Sequence, residues 1–217
     1  MPKRRARGLR VSLAVAVTGI LCAALGASVV LTGGYSVHRM AGGTMRPELR
    51  EGDRLLSDRV AAADVRRGEV YLADSPWMLD HLVVSRVAAL GGDRIACADG
   101  QATLNGRPLD EPPARQAHTC YRDFDVTVPP GRAFLMSDQR ESAIDSRIDS
   151  GDEWQGTVDL ATLTGHRVVW HSGPDAPGLP GKLTGAVVLG ALGVLLALGG
   201  LIAALVTGSA ARRRGES

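Results

Sequence analysis

Two stretches of this chain carry no charged residue. Residues 11–32 (VSLAVAVTGILCAALGASVVLT) and 183–207 (LTGAVVLGALGVLLALGGLIAALVT) are 22 and 25 residues long. A helix rises 1.5 Å per residue, so each could cross a bilayer core of about 30 Å. Lys3, Arg4, Arg5, Arg7 and Arg10 precede the first stretch, and Arg212, Arg213 and Arg214 follow the second. The positive-inside bias then predicts a two-pass cell-membrane protein. Residues 1–10 form a basic cytoplasmic N-terminus, 11–32 a first transmembrane helix and 33–180 a domain on the extracytoplasmic side. Residues 183–207 form a second span and 208–217 a basic cytoplasmic tail. The competing reading of the first stretch is a cleavable signal peptide. A retained anchor is preferred, because the stretch is longer than a usual signal core and Leu25-Gly26-Ala27 is a mediocre cleavage site.

The intervening domain has its own character. Residues 33–180 hold 16 Arg, no Lys and 22 Asp or Glu, a net charge of −6. An acidic domain between basic ends makes nucleic acid a poor partner. Short apolar runs alternate with turn signals: Arg54–Ser57, Glu69–Ala73, His81–Leu90, Arg94–Ala98, Ala102–Leu104, Phe124–Val128, Ala133–Met136 and His166–His171. Such punctuation predicts a mainly β domain, with a hairpin turning at Asn105-Gly106. Gly173–Gly181, rich in Pro and Gly, reads as a tether to the second span. Cys97 and Cys120 both fall in the external domain, where an oxidising compartment permits a disulfide; spacing alone does not choose between a bridge and two free thiols.

Four segments, in order, resemble the boxes of type I signal peptidases. Gly42-Gly43-Thr44-Met45-Arg46-Pro47-Glu48-Leu49-Arg50-Glu51-Gly52-Asp53 resembles the nucleophile box, with Thr44 where the family has serine. Val65-Arg66-Arg67-Gly68-Glu69-Val70 is similar to the following strand. Val83-Val84-Ser85-Arg86-Val87-Ala88-Ala89-Leu90-Gly91-Gly92-Asp93 resembles the segment that carries the general-base lysine, with Ser85 at the lysine position. Val128–Gly131 and Ser137–Arg147 resemble the last box. The stretch Asp93–Pro112 and the closing Leu163–Trp170 are similar to actinobacterial members. The resemblance implies a signal-peptidase-like antiparallel β ectodomain flanked by two transmembrane helices. It also implies a serine endopeptidase that removes signal peptides from secreted preproteins.

That chemistry needs a hydroxyl to attack the scissile carbonyl and a neutral lysine to take its proton. Burial must lower the lysine pKa from about 10.4 towards neutrality. The strand around residue 85 would supply the dry setting, but serine is not a useful base near neutral pH. No lysine lies between residues 33 and 180, and nothing in the sequence brings Lys182 to Thr44. His81 is the best substitute, since related endoplasmic-reticulum-type enzymes use histidine; yet it lies four residues before Ser85, about 13 Å along a strand. His38, His118, His166 and His171 form no metal-ligand pattern, so neither metal nor cofactor is expected.

Thr44 could attack a carbonyl, though its extra methyl stiffens χ1. In the last box the family's supporting serine corresponds to Ala143. Asp138, Arg140, Asp145 and Arg147 match the charged positions and are expected to form a network holding the loop beneath the site. Gly42, Gly43 and Met45 are assigned to the oxyanion and substrate groove, with the Thr44 amide as oxyanion donor.

The expected function is therefore a degenerate signal peptidase that binds extended segments of preproteins or signal peptides. Membrane lipid, and an active paralogue that it would assist, are its other expected partners. The alternative is an active peptidase using Thr44 with a non-standard base.

Overall fold

Residues Pro2–Thr32 (α1) and Gly181–Arg212 (α2) are continuous helices in a computed structural model that describes residues 2–74, 82–109, 120–141, 143–151, 153–163 and 166–212. Both run past the uncharged stretches, because the flanking Arg and Ala residues are good helix formers. Mean hydropathy reaches 2.3 within Arg7–Thr32 and 2.5 within Gly181–Gly208, and both helices are long and apolar enough to cross a membrane.

The two helices form one compact unit and pack antiparallel through small residues. A Cβ on Gly19 would lie 2.3 Å from the Ala197 nitrogen; one on Gly193 would lie 2.5 Å from that of Ala23, and one on Gly200 2.6 Å from that of Ala16. The backbones touch where glycine permits it. Helices in lipid gain little from burying Leu against Leu, so close backbone approach through small residues is the stabilising contact. Their Leu and Val side chains, such as Leu21, Leu31 and Leu195, point outward instead.

Residues 34–178 form the second unit. Its strands are β1 (Ser36–Arg39), β2 (Arg54–Asp58), β3 (Val70–Asp74), β4 (Leu82–Leu90), β5 (Arg94–Ala98), β6 (Gln101–Leu104), β7 (Arg107–Pro108), β8 (Phe124–Thr127), β9 (Arg132–Met136), β10 (Val158–Asp159) and β11 (Arg167–His171). They make a seven-stranded sheet, ordered β1-β2-β11-β3-β4-β9-β10, and a four-stranded sheet, ordered β7-β6-β5-β8. Every ladder is antiparallel. Asn105 (φ 53°) and Gly106 (φ 77°) turn the β6–β7 hairpin with the two positive φ values of a type I′ turn.

The expected β runs correspond to eight of these strands. The short β1 and β10 were not anticipated, because β1 is largely exposed and neither carries an alternating apolar pattern. β4 lies at the centre of the larger sheet and is buried along most of its length. Its ladder with β9 shifts register between Val87 and Ala89. That irregularity sends Val87 into a cluster with Tyr71, Leu135 and Leu163, while Ala88 and Ala89 join Ile95, Val126 and Phe134 beneath the smaller sheet.

A disulfide joins Cys97 on β5 to Cys120 ahead of β8, with Cα atoms 6.3 Å apart. Closing a loop of 23 residues' separation restricts the unfolded chain by about 3 kcal/mol. Reducing the bridge, or the Cys97→Ser, Cys120→Ser variant, should lower the unfolding free energy by about that amount in a denaturant titration.

His38 on β1 and His166 ahead of β11 place their rings edge to face, 6.0 Å apart. Each keeps a buried ring nitrogen without a hydrogen-bond partner. Burial, then the neighbouring His166, lowers the His38 pKa below its ordinary 6.5. The unfolded chain therefore takes up a proton near pH 6.5 that the folded chain resists. Stability should be full above that pH and fall as the solution is acidified through it. Denaturation midpoints at pH 7.5 and 5 would show the loss, and His38→Gln should reduce it.

Candidate active site

Residues 40–53 form a loop that leaves β1 and returns to β2. Met40 N–H donates to the Asp53 carbonyl and Gly52 N–H to the Met40 carbonyl, closing its neck. Met45 and Leu49 are fully buried and pack with Met40, Leu55, Leu72 and Val84. The loop is thus anchored from below, and Thr44 is held half-buried at its rim. The Gln139 N–H donates to the Thr44 carbonyl at 2.8 Å, tying this loop to the one that follows β9.

Thr44 and Ser85 line one groove of about 400 Å³ together with Met40, Ala41, Gly42, Leu82, Val83, Val84, Ser137 and Ile144. Its walls are mostly apolar. Along one wall, Leu82–Ser85 of β4 pair with β3, whereas the β4–β9 ladder begins only at Arg86↔Met136. Among the described residues, that stretch of β4 keeps a free backbone edge towards the groove.

Ser85 is fully buried, and its hydroxyl lies 3.2 Å from that of Ser137, itself 1% exposed. The register explains the pair: Arg86 stands opposite Met136, so one step back on β4 meets one step beyond β9. The hydroxyls satisfy each other, where an unpaired one would cost about 1–3 kcal/mol. The Thr44 hydroxyl makes no hydrogen bond to any described residue. The groove therefore brings the two expected positions together without joining nucleophile to base. His81 and His118 lie outside the described residues.

The charged residues are arranged in two pairs. Asp145 takes two bonds from Arg147, at 2.7 and 2.8 Å, and accepts the Ser137 N–H at 2.9 Å. Asp138 is held not by Arg140 but by Arg86, through bonds of 2.9 and 2.6 Å. Arg86 also donates to Glu48 at 2.8 Å and to the Gly68 carbonyl at 2.6 Å. It thus ties β4 to the Thr44 loop, to the turn before β3 and to the loop after β9. Arg140 donates from Nε to the Ser137 carbonyl at 2.7 Å; burial, then the adjacent Arg147 charge, pushes its pKa down to about 10.

Two members of the expected substrate groove lie elsewhere. Met45 packs in the core below, and Gly43 lies beneath the Arg46 side chain, where a Cβ would come 2.9 Å from Nε. Ala143 is half-buried one residue before the groove-lining Ile144. Sequence reasoning assigned no role to Arg86, Glu48 or Ser137. Arg86 adjoins Ser85 within a matched segment, so alternation along the strand could have placed it on the opposite face. The Ser137 pairing needed the register.

Comparison with known proteins places these residues in context. The profile of the family described as "Signal peptidase, peptidase S26" matches residues 10–171. A signal peptidase I of Mycobacterium tuberculosis is 39% identical over 106 residues, covering 41% of this chain and 36% of its own. The matched stretch thus spans little more than a third of that relative. Signal peptidase I U of Bacillus subtilis is 28% identical over 140 residues, covering 58% of this chain and 74% of its own. A crystal structure of a signal peptidase I from Enterococcus faecalis, 24% identical, covers 48% of this chain and 96% of that one, with a TM-score of 0.38.

Proposed function

We infer function from one premise: this chain belongs to the signal peptidase family, peptidase S26. On that framework it acts as a membrane protein that holds extended segments of secreted preproteins without cleaving them. One observation carries this reading. The residue at the base position is a buried serine bonded to Ser137, and the Thr44 hydroxyl has no described partner. A nucleophile of this kind is activated by hydrogen bonding to a base.

The remainder of the groove suits binding. Among the described residues, Leu82–Val84 offer a free strand edge, and the apolar walls fit small side chains, the combination used when a peptide adds to a sheet. The two apolar helices and the family fit a membrane protein. The basic ends of the chain support cytoplasmic termini and an extracytoplasmic β domain.

The test uses full-length protein in nanodiscs and a labelled peptide with Ala at −1 and −3. Saturable binding with the peptide recovered intact is expected. Leu82→Asp and Ile144→Asp, at exposed rim positions, should abolish it. Absence of saturable binding, or binding indifferent to both substitutions, would overturn the reading.

A further inference from the structure

Beside the apolar groove lies a second, open depression of about 590 Å³. It is lined by Arg39, Met40, Ala41, Arg46, Glu51 and Gly52. Met40 and Ala41 belong to both, so the two hollows adjoin along that pair. The groove is walled mostly by apolar side chains, whereas the depression carries two guanidinium groups.

Several arginines of this domain keep side chains without a described partner, and Arg39 and Arg46 are the two that line this depression. Residues 34–178 carry more Asp and Glu than Arg, and several other arginines there are engaged: Arg86 with Asp138, Arg147 with Asp145 and Arg167 with Asp58. Among the described residues, the side chains of Arg39 and Arg46 have no ion-pair or hydrogen-bond partner. Glu51, the single carboxylate in the lining, is not within ion-pair distance of either.

Both guanidinium groups lie against the 40–53 loop. Arg46 folds over Gly43, beside Thr44, and a Cβ there would crowd its Nε at 2.9 Å. An Arg39 terminal nitrogen lies 3.7 Å from where a Gly52 Cβ would be. On the sheet, Arg39 stands directly opposite Arg54, whose side chain is likewise unpartnered. Like charges directly opposite in an antiparallel pair destabilise it. Two guanidinium groups without a described counter-charge thus line one depression beside the groove.

We propose that Arg39 and Arg46 form a subsite for a carboxylate of the segment bound in the adjoining groove. This rests on the groove-binding reading above. A segment seated against Leu82–Val84 leaves over Met40 and Ala41 and presents its next residues to the two guanidiniums. Aspartate or glutamate there would pair with them, and Arg offers planar paired donors for such a carboxylate. The chain would thereby favour segments in which acidic residues adjoin the small apolar ones.

The experiment measures fluorescence anisotropy with full-length protein in zwitterionic nanodiscs. Three peptides share a small apolar centre with Ala at −1 and −3. One has two Asp after the centre, one two Asp before it, and one Asn at both places. One acidic peptide should bind about fivefold more tightly than the Asn peptide at low salt, an advantage screened at high salt. The R39Q/R46Q variant should lose that advantage while keeping the Asn peptide's affinity. Equal binding of all three, or an advantage that survives in R39Q/R46Q, overturns the subsite and leaves the groove reading standing. Failure of every peptide to bind overturns both. Glycerol phosphate binding more tightly than either acidic peptide, with loss in R39Q/R46Q, assigns the arginines to a lipid headgroup and overturns the proposal.

Discussion

The Thr44→Ser, Ser85→Lys double variant should cleave a preprotein after small residues at a rate at least about a hundredfold above the parent chain. A positioned general base is worth roughly 10²–10⁴ in rate. Position 85 is prepared for one. It lies on β4 in the mostly apolar groove, among Leu82, Val83, Val84, Met40 and Ile144. A lysine there would lose much of its hydration, and its pKa would fall from about 10.4 towards neutrality. Thr44→Ser removes the β-methyl that restricts χ1 and leaves the loop anchored through buried Met45 and Leu49. Two controls separate base catalysis from mere repacking. Thr44→Ser alone should stay near the parent rate. Thr44→Ser with Ser85→Arg should also stay silent, because guanidinium does not surrender its proton near neutral pH. Activity in the arginine variant equal to that of the lysine variant would contradict the assignment of position 85.

The second large effect concerns the framework. Arg86→Met should lower the unfolding free energy by about 3–5 kcal/mol, the range for breaking a buried ion pair from one side. The loss arises mainly from what is left behind: Asp138 is fully buried, with both carboxylate oxygens bonded to Arg86. Burial opposes the Arg86 charge, but the bonds it donates to Asp138, with the Asp138 and Glu48 charges, outweigh it and hold the guanidinium protonated. Adding Asp138→Leu should therefore recover more than half of the lost stability, since an apolar pair of similar volume removes the stranded charge. Denaturant titration of the single and double variants, with unchanged slope, checks both figures. Equal destabilisation in the two variants would show that Asp138 does not depend on Arg86.

Much of this architecture was legible in the residues. The helices follow from uncharged length, and β4, β5 and β9 from short apolar runs between glycine-rich turns. The proximity of Thr44 to Ser85 was legible only as a resemblance, because a loop and a strand 41 positions apart carry no local pattern linking them. What stayed hidden depended on register. Ser137 opens the last box without an assigned role, and only the Arg86↔Met136 alignment makes it the partner of Ser85. The same holds for Asp138, expected in a network with Arg140, Asp145 and Arg147 yet paired across the sheet with Arg86. Met45, grouped with the groove through the box resemblance, packs into the core, because a motif match does not tell which side chain of an irregular loop points inward.

Cleavage by the unaltered protein decides between binding and catalysis at this groove. Full-length chain in lipid or detergent is incubated with a preprotein carrying Ala at −1 and −3, alongside the Thr44→Ala variant. The two should be indistinguishable, both releasing no more mature product than a protein-free control. Cleavage at the expected bond by the unaltered chain, lost in Thr44→Ala, would contradict that expectation and establish Thr44 as a working nucleophile served by a base other than residue 85.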